Sequence, residues 1–251
     1  VRRANIMVGN GGDELLFNLL FTFGGPGHAL ITCPPDFSEY ANFAKMCETP
    51  VVTVWRDPKT FEIDADALVA AAKADDAALV ILTSPNNPTG NLVDPSIIRR
   101  LLDETDALVL RDEAYIEFSG EDASLVGWVA ENPRLMVLRT LSKAFALAGI
   151  RCGFTLAHPD VIKCMLKVID PYPISDPVAQ IASQALTPMG INMMKARVAE
   201  CQNRRQILEA ALLNMPAVEK VFPSHGNFLL VKFKDGPAVF KAEAARGVIL
   251  R

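Results

Sequence analysis

The chain has 251 residues, half of them apolar, and its 25 basic and 29 acidic residues give a net charge of −4. This length allows one large domain or two smaller ones, with enough apolar residues for a sizeable core. The mild acidity, without a basic run, gives no reason to expect binding to nucleic acid or to a membrane surface. The isolated histidines His28, His158 and His225 lack the spacing of metal ligands, so no metal site is predicted.

Cysteine usage favours a reducing compartment. The five cysteines are widely spaced, without a Cys-x-x-Cys pair, and most lie in apolar runs typical of buried thiols. No apolar run approaches the roughly 20 residues that a membrane helix needs, and the N-terminus lacks a signal-peptide pattern. We therefore expect a cytoplasmic protein. The chain begins without methionine and stops just after an apolar stretch, so we expect both ends to be cut.

Short apolar strands alternate with helical patterns over the first 156 residues. Strands are predicted at residues 5–8, 29–33, 51–55, 78–83, 107–110, 135–138 and 152–156. Helices are predicted at residues 15–23, 38–47, 65–72, 95–104 and 125–131. This alternation predicts right-handed crossovers and a parallel sheet with helices on both faces.

The pattern changes after residue 156. Helices are predicted at residues 161–168, 177–186, 191–213 and 237–246, and strands at 218–222, 228–233 and 248–250. We interpret residues 1–175 as a large α/β domain. Residues 176–251 then supply interdomain helices and an incomplete α+β small domain.

Chemically useful side chains follow the carboxyl ends of the predicted strands. Ligands of an open α/β sheet bind at that edge, so segments distant in sequence are expected to meet in one crevice. Arg111, which precedes Asp112, should point to the opposite side of the sheet and form a peripheral salt bridge. The residues concerned are Gly11, Gly12, Phe37, Asn87, Asp112, Tyr115 and Lys143.

Lys143 lies between two predicted core strands, an unusual place for a lysine without a partner or a task. A desolvated lysine loses its proton readily, and the free amine attacks carbonyls. We therefore predict a Schiff-base lysine, with a solvated loop lysine as the alternative.

Pyridoxal 5′-phosphate supplies both a carbonyl for the lysine and a phosphate. Asp112 would pair with the pyridine nitrogen and keep it protonated, which makes the ring an electron sink. Asn87 and Tyr115 would hydrogen-bond the ring hydroxyl, and Phe37 would stack on the ring. Taken singly, Asp112 could be an ordinary strand-end acid and Asn87 a turn residue. Tyr115 and Phe37 could be core aromatics. Together at one sheet edge, they favour the cofactor.

An anion site is predicted where a glycine turn opens the first helix. Backbone amides of Gly11, Gly12 and Asp13 would bind the phosphate there, helped by the helix dipole. Ser142 and Arg151 would complete the site, the arginine through its planar fork. The alternatives are a plain helix cap and an ordinary salt bridge of Arg151.

Three segments resemble the fold-type-I aminotransferases: SPNNPTG at 84–90, DEAYIEF at 112–118 and TLSKAFALAGIR at 140–151. Further matches, CPP at 33–35, GW at 127–128 and PYP at 171–173, resemble the histidinol-phosphate aminotransferase family. The resemblance implies a large domain with a mostly parallel seven-stranded sheet and a partial α+β small domain. It also implies a homodimer.

The resemblance further implies the reaction and the roles of individual residues. Lys143 would form the aldimine and act as acid and base, with Asp112 and Tyr115 as further catalytic residues. Thr140 joins the cofactor-binding set, and Asn87, Tyr172 and Arg251 fall on substrate-binding positions. The implied reaction moves an amino group between L-histidinol phosphate and 2-oxoglutarate, giving imidazole acetol phosphate and glutamate.

The resemblance also implies missing parts. Family chains are longer at both ends, with tyrosines in the N-terminal arm and a carboxylate-binding arginine near the C-terminus. Without that arginine, substrate orientation should suffer heavily. Two alternatives stay open: another aminotransferase or phospho-amino-acid lyase of the same fold, or an inactive truncated remnant.

Overall fold

A seven-stranded sheet organises the first 156 residues of the protein. The structure is a computed structural model that describes residues 1–75 and 77–251. The strands are β1 (Ile6–Gly9), β2 (Leu30–Thr32), β3 (Val51–Thr53), β4 (Leu79–Thr83), β5 (Leu108–Asp112), β6 (Leu135–Thr140) and β7 (Gly153–Leu156), in the spatial order β1-β7-β6-β5-β4-β2-β3. The predicted α/β class and mostly parallel sheet are confirmed.

The strand directions bring the polar segments together. Strand β7 pairs antiparallel with both β1 and β6, and the remaining pairs are parallel. Strands β1 and β6 therefore run in the same direction as β5, β4, β2 and β3. Their carboxyl ends share one edge of the sheet, and β7 begins at that edge.

Helices cover both faces of this sheet. They are α1 (Gly11–Phe23), α2 (Glu39–Met46), α3 (Ala65–Ala74), α4 (Pro95–Glu104) and α5 (Pro159–Met165). Alternation along β4 divides the core: Val80 and Leu82 pack with α3 and α4, whereas Leu79 and Ile81 pack with α1, α2 and α5. Each of these side chains contributes about 1.5–3 kcal/mol through burial, so the central strands form a firm base for the sheet edge.

The chain beyond β7 is mostly helical. It contains α6 (Asp176–Ala185), the 26-residue α7 (Pro188–Leu213), an antiparallel pair of β8 (Val218–Val221) and β9 (Val231–Phe233), and α8 (Gly236–Ala245). Met194 and Val198 of α7 pack with Leu141 and Phe145, which lie two residues before and two residues after Lys143 in the sequence. Within the described part of the chain, no helix is both long enough and apolar enough to cross a membrane.

Three predicted elements differ from the structure. The helix expected at residues 125–131 is a short 3-10 helix, Val126–Ala130. The strand expected at 228–233 begins only at Val231, and residues 248–250, all within the described range, form no strand. The apolar pattern was present in both segments, but a strand also needs a hydrogen-bonded neighbour, and β8 pairs only with residues 231–233 of the first segment.

Candidate active site

A cavity of about 140 Å³ opens at the carboxyl edge of the sheet. Apart from Gly11, every residue predicted to bind the cofactor lines it: Gly12, Asp13, Phe37, Asn87, Asp112, Tyr115, Thr140, Ser142, Lys143 and Arg151. Two predicted substrate-binding residues do not. Tyr172 is 93% exposed, and Arg251 is exposed at the end of the chain.

Asp112 ends strand β5 and lies buried at the floor of the cavity. Its Oδ1 accepts the backbone N–H of Ala114 at 2.9 Å, and its Oδ2 accepts the hydroxyl of Tyr40 at 2.7 Å. Burial raises the pKa of Asp112, and these two hydrogen bonds together with the charge of Lys143 oppose that shift. The site therefore holds a carboxylate that would gain from a cationic partner.

Tyr40 is a site residue that the sequence reasoning missed. It lies in the first turn of α2 with no exposed surface, and its hydroxyl is 2.6 Å from the hydroxyl of Thr83, another missed residue. Burial, together with the nearby Asp112 charge, raises the pKa of Tyr40 well above its ordinary value. One sequence signal was available: Tyr40 follows Phe37, a predicted site residue, by three residues. In the structure the two rings pack edge to face, with their centroids 5.5 Å apart.

Lys143 lies in the loop after β6, with its Nζ 5.1 Å from the centre of the Tyr115 ring. The expectation that this lysine is desolvated is wrong for this structure, because the residue is exposed. Its side chain borders a cavity that opens to solvent, whereas Asp112 lies beneath at the floor. The amine and the carboxylate nevertheless line the same cavity, as the sequence predicted.

Free backbone amides and an arginine form the other side of the cavity. The side chain of Asn10 does not cap α1, which leaves the N–H groups of the first turn available to an anion. Arg151 has the left-handed φ of 52°, a conformation that costs a non-glycine residue about 1–2 kcal/mol. Its Nη2 lies 2.9 Å from Asp13 Oδ2, so Arg151 forms a salt bridge and also borders the cavity.

Gly11 allows this close approach. Its φ is +87°, and a Cβ at this position would overlap the guanidinium of Arg151. Glycine supplies both the backbone conformation and the space. Thr140 and Ser142 border the cavity with hydroxyl oxygens 2.9 Å apart, and the N–H of Ser142 donates to Thr140 Oγ1 at 3.1 Å.

Neighbouring residues hold Asn87 and Tyr115 in place. The buried side chain of Asn86 donates to the carbonyl of Pro35 at 2.9 Å and to Thr89 Oγ1 at 2.7 Å, which fixes the loop that carries Asn87. The Tyr115 ring packs edge to face with Phe228 at 5.2 Å. The segment before β9 therefore contacts the wall of the cavity.

Comparison with known proteins matches residues 1–250 to the family described as aminotransferase class I and II. The chain belongs to the class I and II aminotransferases. It is 47% identical to a histidinol-phosphate aminotransferase of Escherichia coli, covering all of this chain and 70% of that protein. It is 48% identical to a histidinol-phosphate aminotransferase of Aeromonas hydrophila, over 98% of this chain and 69% of that one.

A solved structure of an aminotransferase has the same fold. It is the histidinol-phosphate aminotransferase from Sinorhizobium meliloti in complex with pyridoxal-5′-phosphate, with a TM-score of 0.89 and 25% sequence identity. The match covers 99% of this chain and 68% of that one. The family resemblance of the three motifs is thus confirmed.

The aminotransferase also has a buried ionic group behind the cavity. The expected peripheral position of Arg111 is wrong: its side chain is 1% exposed, and its Nε lies 3.6 Å from Oε1 of the fully buried Glu113. Arg139 reaches the other oxygen of Glu113 at 3.3 Å and Glu117 at 2.8 Å. Strand alternation does turn Arg111 away from Asp112, but α4 and the 3-10 helix Val126–Ala130 cover that face of the sheet, so the salt bridge is internal.

Proposed function

We propose that this aminotransferase moves an amino group between L-histidinol phosphate and 2-oxoglutarate in histidine biosynthesis, with pyridoxal 5′-phosphate as cofactor. The identity of 47% to a histidinol-phosphate aminotransferase over the whole chain supports the substrate. The single observation that carries the proposal is the cavity in which Lys143, Asp112 and Arg151 meet.

The residues present fit the cofactor. The cavity offers an amine, a buried carboxylate and an anion site formed by free helix amides and an arginine. The absence of a side chain at Gly11 lets the Arg151 guanidinium lie against the start of α1, so the arginine and the helix amides would face the same phosphate. Pyridoxal phosphate, when bound, supplies a carbonyl for the lysine and a ring that accepts electrons.

Each group of the chain then has a defined task. Lys143 Nζ would hold the cofactor covalently and, once released, would accept and return the proton that the reaction moves. Asp112, as a carboxylate, would keep a proton on the ring nitrogen, while Asn87 and Tyr115 would bind the ring hydroxyl and Phe37 would stack on the ring. Residues at the other end bind the phosphate: Gly12, Asp13, Thr140, Ser142 and Arg151.

Substrate contacts are proposed for Asn87, Tyr172 and Arg251. Asn87 borders the cavity and could reach both cofactor and substrate. For Tyr172 and Arg251, which lie outside it, the proposal rests on the family resemblance alone. An arginine suits the phosphate of the substrate because its planar fork donates two parallel hydrogen bonds.

Three wider proposals accompany this function. The large domain would comprise residues 1–175, because the seven-stranded sheet is complete by Leu156 and the separate β8-β9 pair follows α7. A homodimer is supported by large exposed apolar side chains such as Trp55, Tyr172 and Met189. A cytoplasmic location is supported by the cysteines, all five within the described residues and all free.

Loading the purified protein with pyridoxal phosphate tests the cofactor. We expect a yellow absorbance that borohydride removes irreversibly, because it reduces a carbon–nitrogen double bond to Lys143. Lys143→Ala should abolish the reducible species while the far-ultraviolet circular dichroism is retained. Lys163→Ala is the matched control, since Lys163 is an exposed surface lysine whose Nζ forms a salt bridge with Asp160 at 2.8 Å. A Lys143→Ala protein that still traps cofactor with borohydride would refute the role.

The half-reaction tests the substrate. Histidinol phosphate should discharge the yellow absorbance of the loaded protein, and aspartate at the same concentration should do so far more slowly. Equal rates, or a faster reaction with aspartate, would favour another aminotransferase of the same fold.

A further inference from the structure

We propose that Tyr40, supported by Thr83, is a positioning residue that keeps Asp112 in the ionised, outward-facing state that the cofactor nitrogen requires. The inference rests on the proposed function, because it assigns a partner to the carboxylate that would face the cofactor. Tyr40 contacts Asp112, and Thr83 contacts Tyr40. Both residues act through Asp112 rather than on the reacting atoms.

The hydrogen-bond directions follow from the chemistry of the groups. An ionised carboxylate only accepts, so the single hydroxyl proton of Tyr40 is donated to Asp112 Oδ2 at 2.7 Å. Thr83, whose hydroxyl is 2.6 Å from that of Tyr40, must then donate to the tyrosine. The resulting chain runs from Thr83 through Tyr40 to Asp112, and each proton has one possible destination.

The remaining capacity of Asp112 faces the cavity. The backbone N–H of Ala114 occupies one acceptor site on Oδ1, and Tyr40 occupies one on Oδ2. Each carboxylate oxygen has a second lone pair, so a further donor from the cavity can still be accepted. Because Tyr40 has no exposed surface and packs within the core below the sheet edge, it holds the carboxylate in one orientation.

The surroundings make this hydrogen bond important for the charge on Asp112. Burial opposes ionisation of the carboxylate, and the nearby charge of Asp13 acts in the same direction. Tyr40, Ala114 and the positive charge of Lys143 act in the opposite direction. Of these three, the Tyr40 hydroxyl can be removed by deleting one oxygen without changing the backbone or a charge.

Removing that hydroxyl should move a proton. Without the Tyr40 donor the buried carboxylate binds a proton more tightly, so the proton shared with the ring nitrogen shifts towards Asp112. The ring nitrogen is then less protonated. A merely structural role of Tyr40 would not change the protonation of an atom that Tyr40 does not touch.

The test uses the loaded protein with pyridoxal phosphate labelled with nitrogen-15 in the ring. In Tyr40→Phe, we expect the nitrogen resonance to move from the position of a protonated ring towards that of an unprotonated one. Asp112→Ala marks the position reached when the carboxylate is lost. Thr83→Val, which removes only the supporting donor, should give a smaller shift in the same direction. Thr105→Val is the control, since Thr105 at the end of α4 does not line the cavity, its hydroxyl donates to the carbonyl of Leu101, and its loss should leave the resonance unchanged.

The outcomes separate this inference from the proposed function. A protonated wild type together with an unshifted Tyr40→Phe overturns the inference and leaves the proposed function intact. If Tyr40→Phe fails to fold, an unshifted Thr83→Val overturns it equally. A wild-type protein that binds no labelled cofactor overturns both proposals.

Discussion

The buried Glu113 gives a prediction whose size can be worked out from its contacts. Glu113→Gln keeps the shape of the side chain and removes its charge. In the wild type, its oxygens accept the hydroxyl of Ser124 at 2.6 Å and the backbone N–H of Leu125 at 2.8 Å. Two guanidinium groups lie within 3.6 Å of the same oxygens.

Loss of this charge leaves the arginines without their shared counter-ion. Breaking a buried pair by removing one partner costs about 3–5 kcal/mol. Arg111 cannot reach water, but Arg139 is 21% exposed and can be partly hydrated, so the lower end applies. Glutamine also turns one acceptor into an NH₂ group that faces an existing donor. We expect Glu113→Gln to lower the free energy of unfolding by about 3 kcal/mol, a large part of the roughly 5–15 kcal/mol of a typical protein.

Urea unfolding followed by tryptophan fluorescence measures this loss. Both proteins must be at one cofactor concentration, because a ligand that binds only the native state adds to the measured stability. The matched control is Glu104→Gln, which also removes a glutamate with two basic partners, Arg100 at 2.7 Å and Lys73 at 3.2 Å. That group lies at the surface, where water and salt screen its ion pairs, so its loss should cost far less stability than the loss of the Glu113 charge. A Glu113→Gln protein that loses no more stability than Glu104→Gln would refute the reasoning.

Two further predictions concern the anion site and the loop before Phe37. Arg151→Ala should weaken pyridoxal phosphate binding by about 10- to 150-fold, because a hydrogen bond to a charged group contributes about 1.5–3 kcal/mol. Titration of the cofactor-free protein with pyridoxal phosphate checks this, and Arg204→Ala, which changes an exposed arginine, is the control. Burial raises the pKa of Asp36 to about 6. The native state then holds an extra proton between the ordinary pKa of about 3.9 and 6, so the free energy of unfolding falls as the pH rises through this window. The full shift corresponds to about 3 kcal/mol, reduced by the partial exposure of Asp36. Asp36→Asn should remove this dependence of the unfolding free energy on pH, measured by urea unfolding at several pH values. An unchanged pH dependence would contradict the raised pKa of Asp36.

The position of the site could be predicted because it follows from strand direction alone. Alternating strands and helices give a parallel sheet, and residues after the strand ends then share one edge whatever the details of packing. Phe37, Asn87, Asp112 and Lys143 were placed correctly in one cavity on this basis. Tyr40 was not, because a residue inside a helix can face several directions, and only packing against the sheet selects one.

The sequence by itself determined the fold class, the edge of the sheet that carries the chemistry and the kinds of side chain that meet there. These depend on local periodicity and on motifs, which need few distant contacts. The tertiary structure alone decided which charges are buried: Glu113 and Arg111 lie inside, whereas Lys143 is exposed at the cavity mouth. It also decided that residues 248–250 form no strand within the described chain. Burial and strand pairing depend on which distant segments cover a residue, and that information is not contained in the residue's own neighbourhood.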